Sequence, residues 1–116
     1  MKKTIRILPL IIYSAVIFYL SSVPAQKLPE ESFINFYMLA HLIEFTVYGI
    51  LCGFAFGELK FIPVGIGVLY AALDEFHQSF TPGRFCSPID FIVDAAGVIA
   101  GVYIYKSFLR RFICLL

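Results

Sequence analysis

Charge is scarce in this chain. Only 15% of its 116 residues are Asp, Glu, Lys or Arg, against about 25% in an ordinary soluble domain. Cysteine is scarce as well. Cys52, Cys86 and Cys114 lie far apart, without any CxxC spacing, which excludes a conventional disulfide framework. There is no basic stripe with interleaved aromatics, and the net charge is +1; nothing marks a nucleic-acid partner. Low-complexity segments, internal repeats and long linkers are also missing, so the length fits a single domain over residues 1–116.

Apolar residues fill the space that charge leaves. They make up 60% of the chain, with 13 Phe and a mean hydropathy of +0.88. A soluble domain this small could not hide so many large apolar side chains. The runs also have membrane length, since a spanning helix needs roughly 20 predominantly apolar residues. Four are visible, at 5–23, 33–57, 61–80 and 88–108. The expected fold is all-α: a polytopic membrane protein built as a four-transmembrane-helix bundle. The first run has a rival reading, because "MKKTIR", an apolar stretch and "SSVPAQ" resemble a signal peptide with Val23 and Ala25 at cleavage-site positions. Its apolar core is long for that role and carries Pro9, Tyr13 and Tyr19. A retained helix is the expectation.

Basic residues set the orientation. With four spans, Lys2, Lys3, Arg6, Lys60, Lys106, Arg110 and Arg111 share one side, and only Lys27 and Arg84 face the other. The positive-inside rule then predicts a multi-pass membrane protein with both termini in the cytoplasm. It would leave membrane lipids as the constant partner.

The few acids are unevenly placed. Glu30, Glu31 and Glu58 fall in connections, whereas Glu44, Asp74, Glu75, Asp90 and Asp94 fall within the spans or at their ends. At about 1.5 Å rise per residue each of these five lies within roughly 17 Å of the outer end of its helix. His41 and His77 share that layer. His41, Glu44 and Tyr48 are spaced i, i+3, i+7 on one face of the second span. Tyr70, Asp74, His77 and Gln78 share a face of the third, with Glu75 to one side. Asp90 and Asp94 align on the fourth with Gly97 and Gly101, a GxxxG pattern that lets a second backbone approach closely.

Such a layer has a bland reading and a functional one. Charges at bilayer depth cost about 2.5–3.5 kcal/mol each or more, so they face a bundle interior or a watery cavity. There they form either a structural network or a site. Five carboxylates face one permanent cation, Arg84, and two histidines. They cannot all be ionised unless water or a cation intervenes. A divalent metal is therefore the one cofactor the composition suggests, with His41, Glu44, Asp74 and Asp94 as candidate ligands. Glu44, Asp74 and Glu75 are the candidate catalytic carboxylates.

Within this layer the stretch "DEFHQSFTPGRFCSPIDFIVDAAGVIAG" begins at Asp74. It resembles the signature of the VanZ-like family of small bacterial membrane proteins. "SSVP" at Ser21–Pro24 and "HLIEF" at His41–Phe45 match that family's pattern in order and spacing. The resemblance carries over to Ser22, His41, Glu44, Asp74, Glu75, Gln78, Pro82, Gly83, Arg84, Asp90 and Gly97. It implies a link to tolerance of glycopeptide antibiotics such as teicoplanin, which act outside the cytoplasmic membrane. The chain departs from the pattern at Tyr37 and Met38, where the family often has an acid–lysine pair. It also has Phe45 for a frequent tyrosine and Asp94 for a frequent asparagine. Its site is therefore more acidic than the family's usual one.

Pro82 and Gly83 favour a tight reversal, which would hold Arg84 above the acids. There it can pair with a carboxylate or grip a phosphate bidentately. With Ser22, Gln78 and Asp90 it forms the candidate substrate-binding set. Three function classes stay open. One is binding or remodelling at the outer leaflet, with a lipid-linked precursor or a glycopeptide as the partner. Another is a metal-assisted hydrolase or transferase on such a precursor, with Glu44 or Asp74 as base and Arg84 holding the anion. The last is a small proton- or cation-coupled transporter.

Overall fold

The computed structural model describes residues 3–22, 34–57, 59–81 and 88–113, excepting the side chains of 34–37. All its regular structure is helical: α1 (Lys3–Ser21), α2 (Ile34–Phe56), α3 (Ile62–Gln78) and α4 (Pro88–Ile104). After α4 comes a π-helical turn, Tyr105–Leu109, and a last short helix, α5 (Arg110–Ile113). The bundle measures 45 × 24 × 21 Å.

The four long helices fall on the four apolar runs. Three have the length and composition to cross a membrane: α1, α2 from Met38 onward, and the continuous stretch Pro88–Ile113. α3 is shorter, at 17 residues. Its rise of about 25 Å falls below the roughly 30 Å of a bilayer core. It starts where Pro63 fits into the first turn, at no cost in hydrogen bonds. It stops because the chain tightens into a turn. Ser79 N–H donates to Glu75 O and Phe76 O, Phe80 N–H to His77 O, and Thr81 N–H to Gln78 O. Pro88 opens α4 with Asp90 in its first turn, where a carboxylate suits the helix dipole.

α3 shows how the bundle is turned. Leu69, Leu73, Phe76 and Phe80 are exposed along one stripe, while Pro63, Gly67, Ala71, Asp74, Glu75 and Gln78 are buried on the other. The polar groups are inside and the large apolar ones outside. α1 likewise leaves Leu8, Ile11, Ile12 and Phe18 exposed while burying Leu10, Ile17 and Ser21. That pattern is the reverse of a soluble helix and suits a lipid surround.

The tightest seam joins α2 to α4. A Cβ added at Gly97 would lie 2.9 Å from Leu42 O, and one at Gly101 would lie 2.0 Å from Thr46 O. The expected close approach of a second backbone is therefore present. α2 contributes its own row at the same spacing, Gly49, Gly53 and Gly57. A Cβ on Gly49 would meet Val98 O at 2.3 Å, and one on Gly53 would meet the Tyr105 ring at 2.9 Å. Where lipid removes the usual hydrophobic drive, such contact lets van der Waals packing hold helices together. Phe45, Tyr48, Cys52, Ala71, Val98 and Val102 fill the core beside it. The π-helical turn falls where Tyr105 is buried against this row and Lys106 Nζ donates to Leu59 O and Lys60 O, each at 3.3 Å.

Those contacts gather basic residues at one end. Arg6 near the start of α1 stacks over Phe54 at 5.2 Å, and Lys106 reaches the α2–α3 connection. The start of α1 and the end of α4 therefore share an end, opposite the acids.

Candidate functional site

Four helices supply buried polar groups at the other end. Asp74 on α3 is almost sealed from solvent and accepts hydrogen bonds from Ser21 Oγ of α1 and, at 3.3 Å, from Gln78 Nε2. Thr81 closes this corner by donating to Ser21 O at 2.9 Å. Ser21 sits here because it continues the buried stripe of α1, Leu10 and Ile17.

The second group lies between α2, α3 and α4. His41 Nδ1 is 3.1 Å from Asp94 Oδ1, and the Asp94 side chain is fully buried. Its other oxygen, Oδ2, is buried and has no hydrogen-bond partner among the described residues. Glu75 is 2% exposed, so it is an interior residue and not a peripheral one. One donor atom each from His41, Glu75 and Asp94 lie within 4.8 Å of one another. Glu44 and Asp90 are half-buried and close enough to His41 to act on its charge. Asp74 and Asp90 stand in the same relation to Asp94.

His77 takes a different path. It is stacked on Phe18 with ring centres 4.1 Å apart, and its Nε2 lies 2.9 Å from Ser22 Oγ. That hydroxyl donates to Phe18 O at 2.9 Å, so its oxygen can accept the imidazole N–H. Ser22 and His77 thus fasten α1 to α3 beside the layer. Below the acids runs a tyrosine ladder. Tyr13 Oη donates to Glu44 O at 3.0 Å, Tyr70 Oη donates to Ser14 O at 2.5 Å, and Tyr48 Oη meets Ser14 Oγ at 3.0 Å. Tyr48 and Tyr70 stack with centres 4.8 Å apart.

The four expected metal ligands divide: His41 and Asp94 touch, Asp74 turns to Ser21 and Gln78, and Glu44 stands nearby. The donor group brought together by the helices takes Glu75 instead. Gln78 serves Asp74 directly. Arg84, with Pro82, Gly83 and Cys86, lies outside the described residues. Ser21 and Thr81 are not among the candidate site residues of the sequence, and Tyr48 and Tyr70, placed there on the polar faces of their helices, prove to be a stacked pair. The burial stripe of α1 was the available signal for Ser21, since it falls i+4 from Ile17.

The family model described as VanZ/LLP1 matches residues 6–110. The chain belongs to the VanZ/LLP1 family. The match runs from Arg6 in α1 to Arg110 at the start of α5, and so spans the four long helices that carry the polar layer. No curated protein and no solved structure is found to match it.

Proposed function

We propose that the protein crosses the bacterial cytoplasmic membrane four times, with α3 as the short fourth span. Its basic end faces the cytoplasm and its polar layer opens toward the outer leaflet. There the layer binds or remodels a polar component of the envelope, a lipid-linked precursor or the glycopeptide itself, and so lowers sensitivity to antibiotics of the teicoplanin type. Membership of the VanZ/LLP1 family supports this reading. One observation carries it: Ser21, His41, Asp74, Glu75, Gln78 and Asp94, from four helices, are buried together at the end away from Arg6 and Lys106. Carboxylates at bilayer depth are costly enough to mark function. No lysine or arginine stands among the buried residues described.

In this reading Ser22, Gln78, Arg84 and Asp90 receive the ligand, and Arg84 supplies the positive charge for a phosphate or carboxylate. A second reading, a metal-assisted hydrolase or transferase, gains support from the grouping of His41, Glu75 and Asp94. There Glu44, Asp74 and Glu75 are the candidate acid–base carboxylates. The test is teicoplanin tolerance of a susceptible host carrying the wild type or Arg84→Gln, with membrane levels of each measured. Equal levels with tolerance lost in the variant support the site. Full tolerance in Arg84→Gln would refute the role of Arg84.

A further inference from the structure

Three side chains on three helices have the makings of an ion site. His41 comes from the outer half of α2, Glu75 from the last turn of α3, and Asp94 from the second turn of α4. Their donor atoms lie within 4.8 Å of one another. Two donors bound at about 2.1 Å to one ion are roughly 3.0–3.4 Å apart when they subtend 90–109°. The 3.1 Å between His41 Nδ1 and Asp94 Oδ1 falls in that interval. A plain imidazole–carboxylate hydrogen bond has the same length, but the Asp94 side chain is fully buried and its Oδ2 has no hydrogen-bond partner among the described residues. A buried carboxylate oxygen left in that state costs free energy that a cation would recover.

We propose that His41, Glu75 and Asp94 form a binding site for one divalent transition ion of the zinc or manganese class. The proposal rests on reading the polar layer as a site, and it does not depend on which envelope component that site receives. The donor types support it. An imidazole with two carboxylates suits zinc and manganese, whereas magnesium and calcium prefer oxygen alone. Three protein donors leave at least one position for water or for an anionic oxygen of a ligand. Glu44 and Asp90, within electrostatic reach of His41, form the surrounding shell.

The buried thiol is distant. Cys52 lies eleven residues beyond His41 on α2, about 16 Å along the axis, so a thiol ligand is not expected.

The experiment uses full-length protein in detergent, stripped with EDTA and titrated with ZnCl2 and MnCl2, with MgCl2 as control. Wild type should bind one zinc per chain and melt at a higher temperature with it, while magnesium does neither. His41→Asn, Glu75→Gln and Asp94→Asn should each weaken zinc binding at least about tenfold, since loss of even an outer-shell partner has that effect. His77→Asn should bind as wild type does. X-ray absorption at the zinc edge of wild type should show only nitrogen and oxygen donors, at about 2.0–2.2 Å, with an imidazole signature. This reading holds even if a variant fails to fold. Absence of saturable zinc binding, sulfur in the first shell, or undiminished binding in folded Glu75→Gln would overturn the site. Antibiotic tolerance is a separate readout. Zinc bound by wild type but not by a fully tolerant Glu75→Gln would preserve the metal site and refute its role in tolerance.

Discussion

His41 on α2 and Asp94 on α4 meet at 3.1 Å, Nδ1 to Oδ1, one turn before Gly97 brings α4 against the backbone of Leu42. The contact and the glycine are one device. Without side chains at Gly97 and Gly101 the two helices approach closely enough for short polar side chains to touch across the seam. Gly101→Ala should therefore damage both. Its Cβ would sit 2.0 Å from Thr46 O, and backbone cannot step aside as a flexible side chain can. Forcing methyl groups into well-packed interiors costs about 1–3 kcal/mol. Thermal unfolding in detergent should show Gly101→Ala destabilised by that amount or more. Gly65→Ala, at a position with open space around it, should be neutral or better. Equal melting of the two variants would refute the close seam.

Adjacent serines should behave differently. Ser21 is buried and donates to the Asp74 carboxylate, whereas Ser22 is exposed and bonds Phe18 O and His77. Ser21→Ala leaves a buried acceptor short of a donor, at a cost of about 1–3 kcal/mol. Ser22→Ala should cost well under about 1 kcal/mol, because water can replace an exposed hydroxyl. Melting curves for the pair decide it, and a larger loss in Ser22→Ala would reverse the assignment.

Much of the architecture could be read from residue order. Each apolar run became a helix within a few residues of its expected limits, because length and composition leave little choice at bilayer depth. Gly97 and Gly101 could be read as a packing face for the same kind of reason, since four-residue spacing repeats on one side of a helix. The matching row at Gly49, Gly53 and Gly57 has the same spacing but was submerged in the apolar run around it. What residue order could not supply was which neighbour each face meets. Asp74 and Glu75 differ by about 100° around α3. That rotation sends Asp74 to Ser21 on α1 and Glu75 toward His41 and Asp94. Only the packed bundle separates these partners.

The orientation of the bundle makes its own prediction. If the basic end is cytoplasmic, Cys86 between α3 and α4 faces outward and Cys114 near the C-terminus faces inward. Cys52 is buried in the core and should stay silent. A membrane-impermeant thiol reagent added to intact cells should label Cys86 and spare Cys114. Labelling of Cys114 with Cys86 unmarked would invert the topology.

Asp74→Asn tests whether the layer is a site or a structural network. The amide oxygen of Asn can still accept from Ser21. Gln78 can turn its own amide to present an oxygen to the new NH2 group, so these two hydrogen bonds stay satisfied. Removing one charge from a group of carboxylates also relieves repulsion. A folded state that is as stable as wild type, or slightly more so, is the expected result. A structural network of fully paired charges would instead lose about 3–5 kcal/mol when one partner goes.

The most direct measurement sets folded protein beside function in the same cells. Asp74→Asn and Arg84→Gln are expressed in a susceptible host, and correctly folded membrane protein is quantified by fluorescence-detected size exclusion. Teicoplanin tolerance is read from the same cultures. If the polar layer is a functional site, both variants accumulate as wild type does and both lose tolerance. Loss of folded protein in proportion to tolerance would make the layer structural and contradict the account.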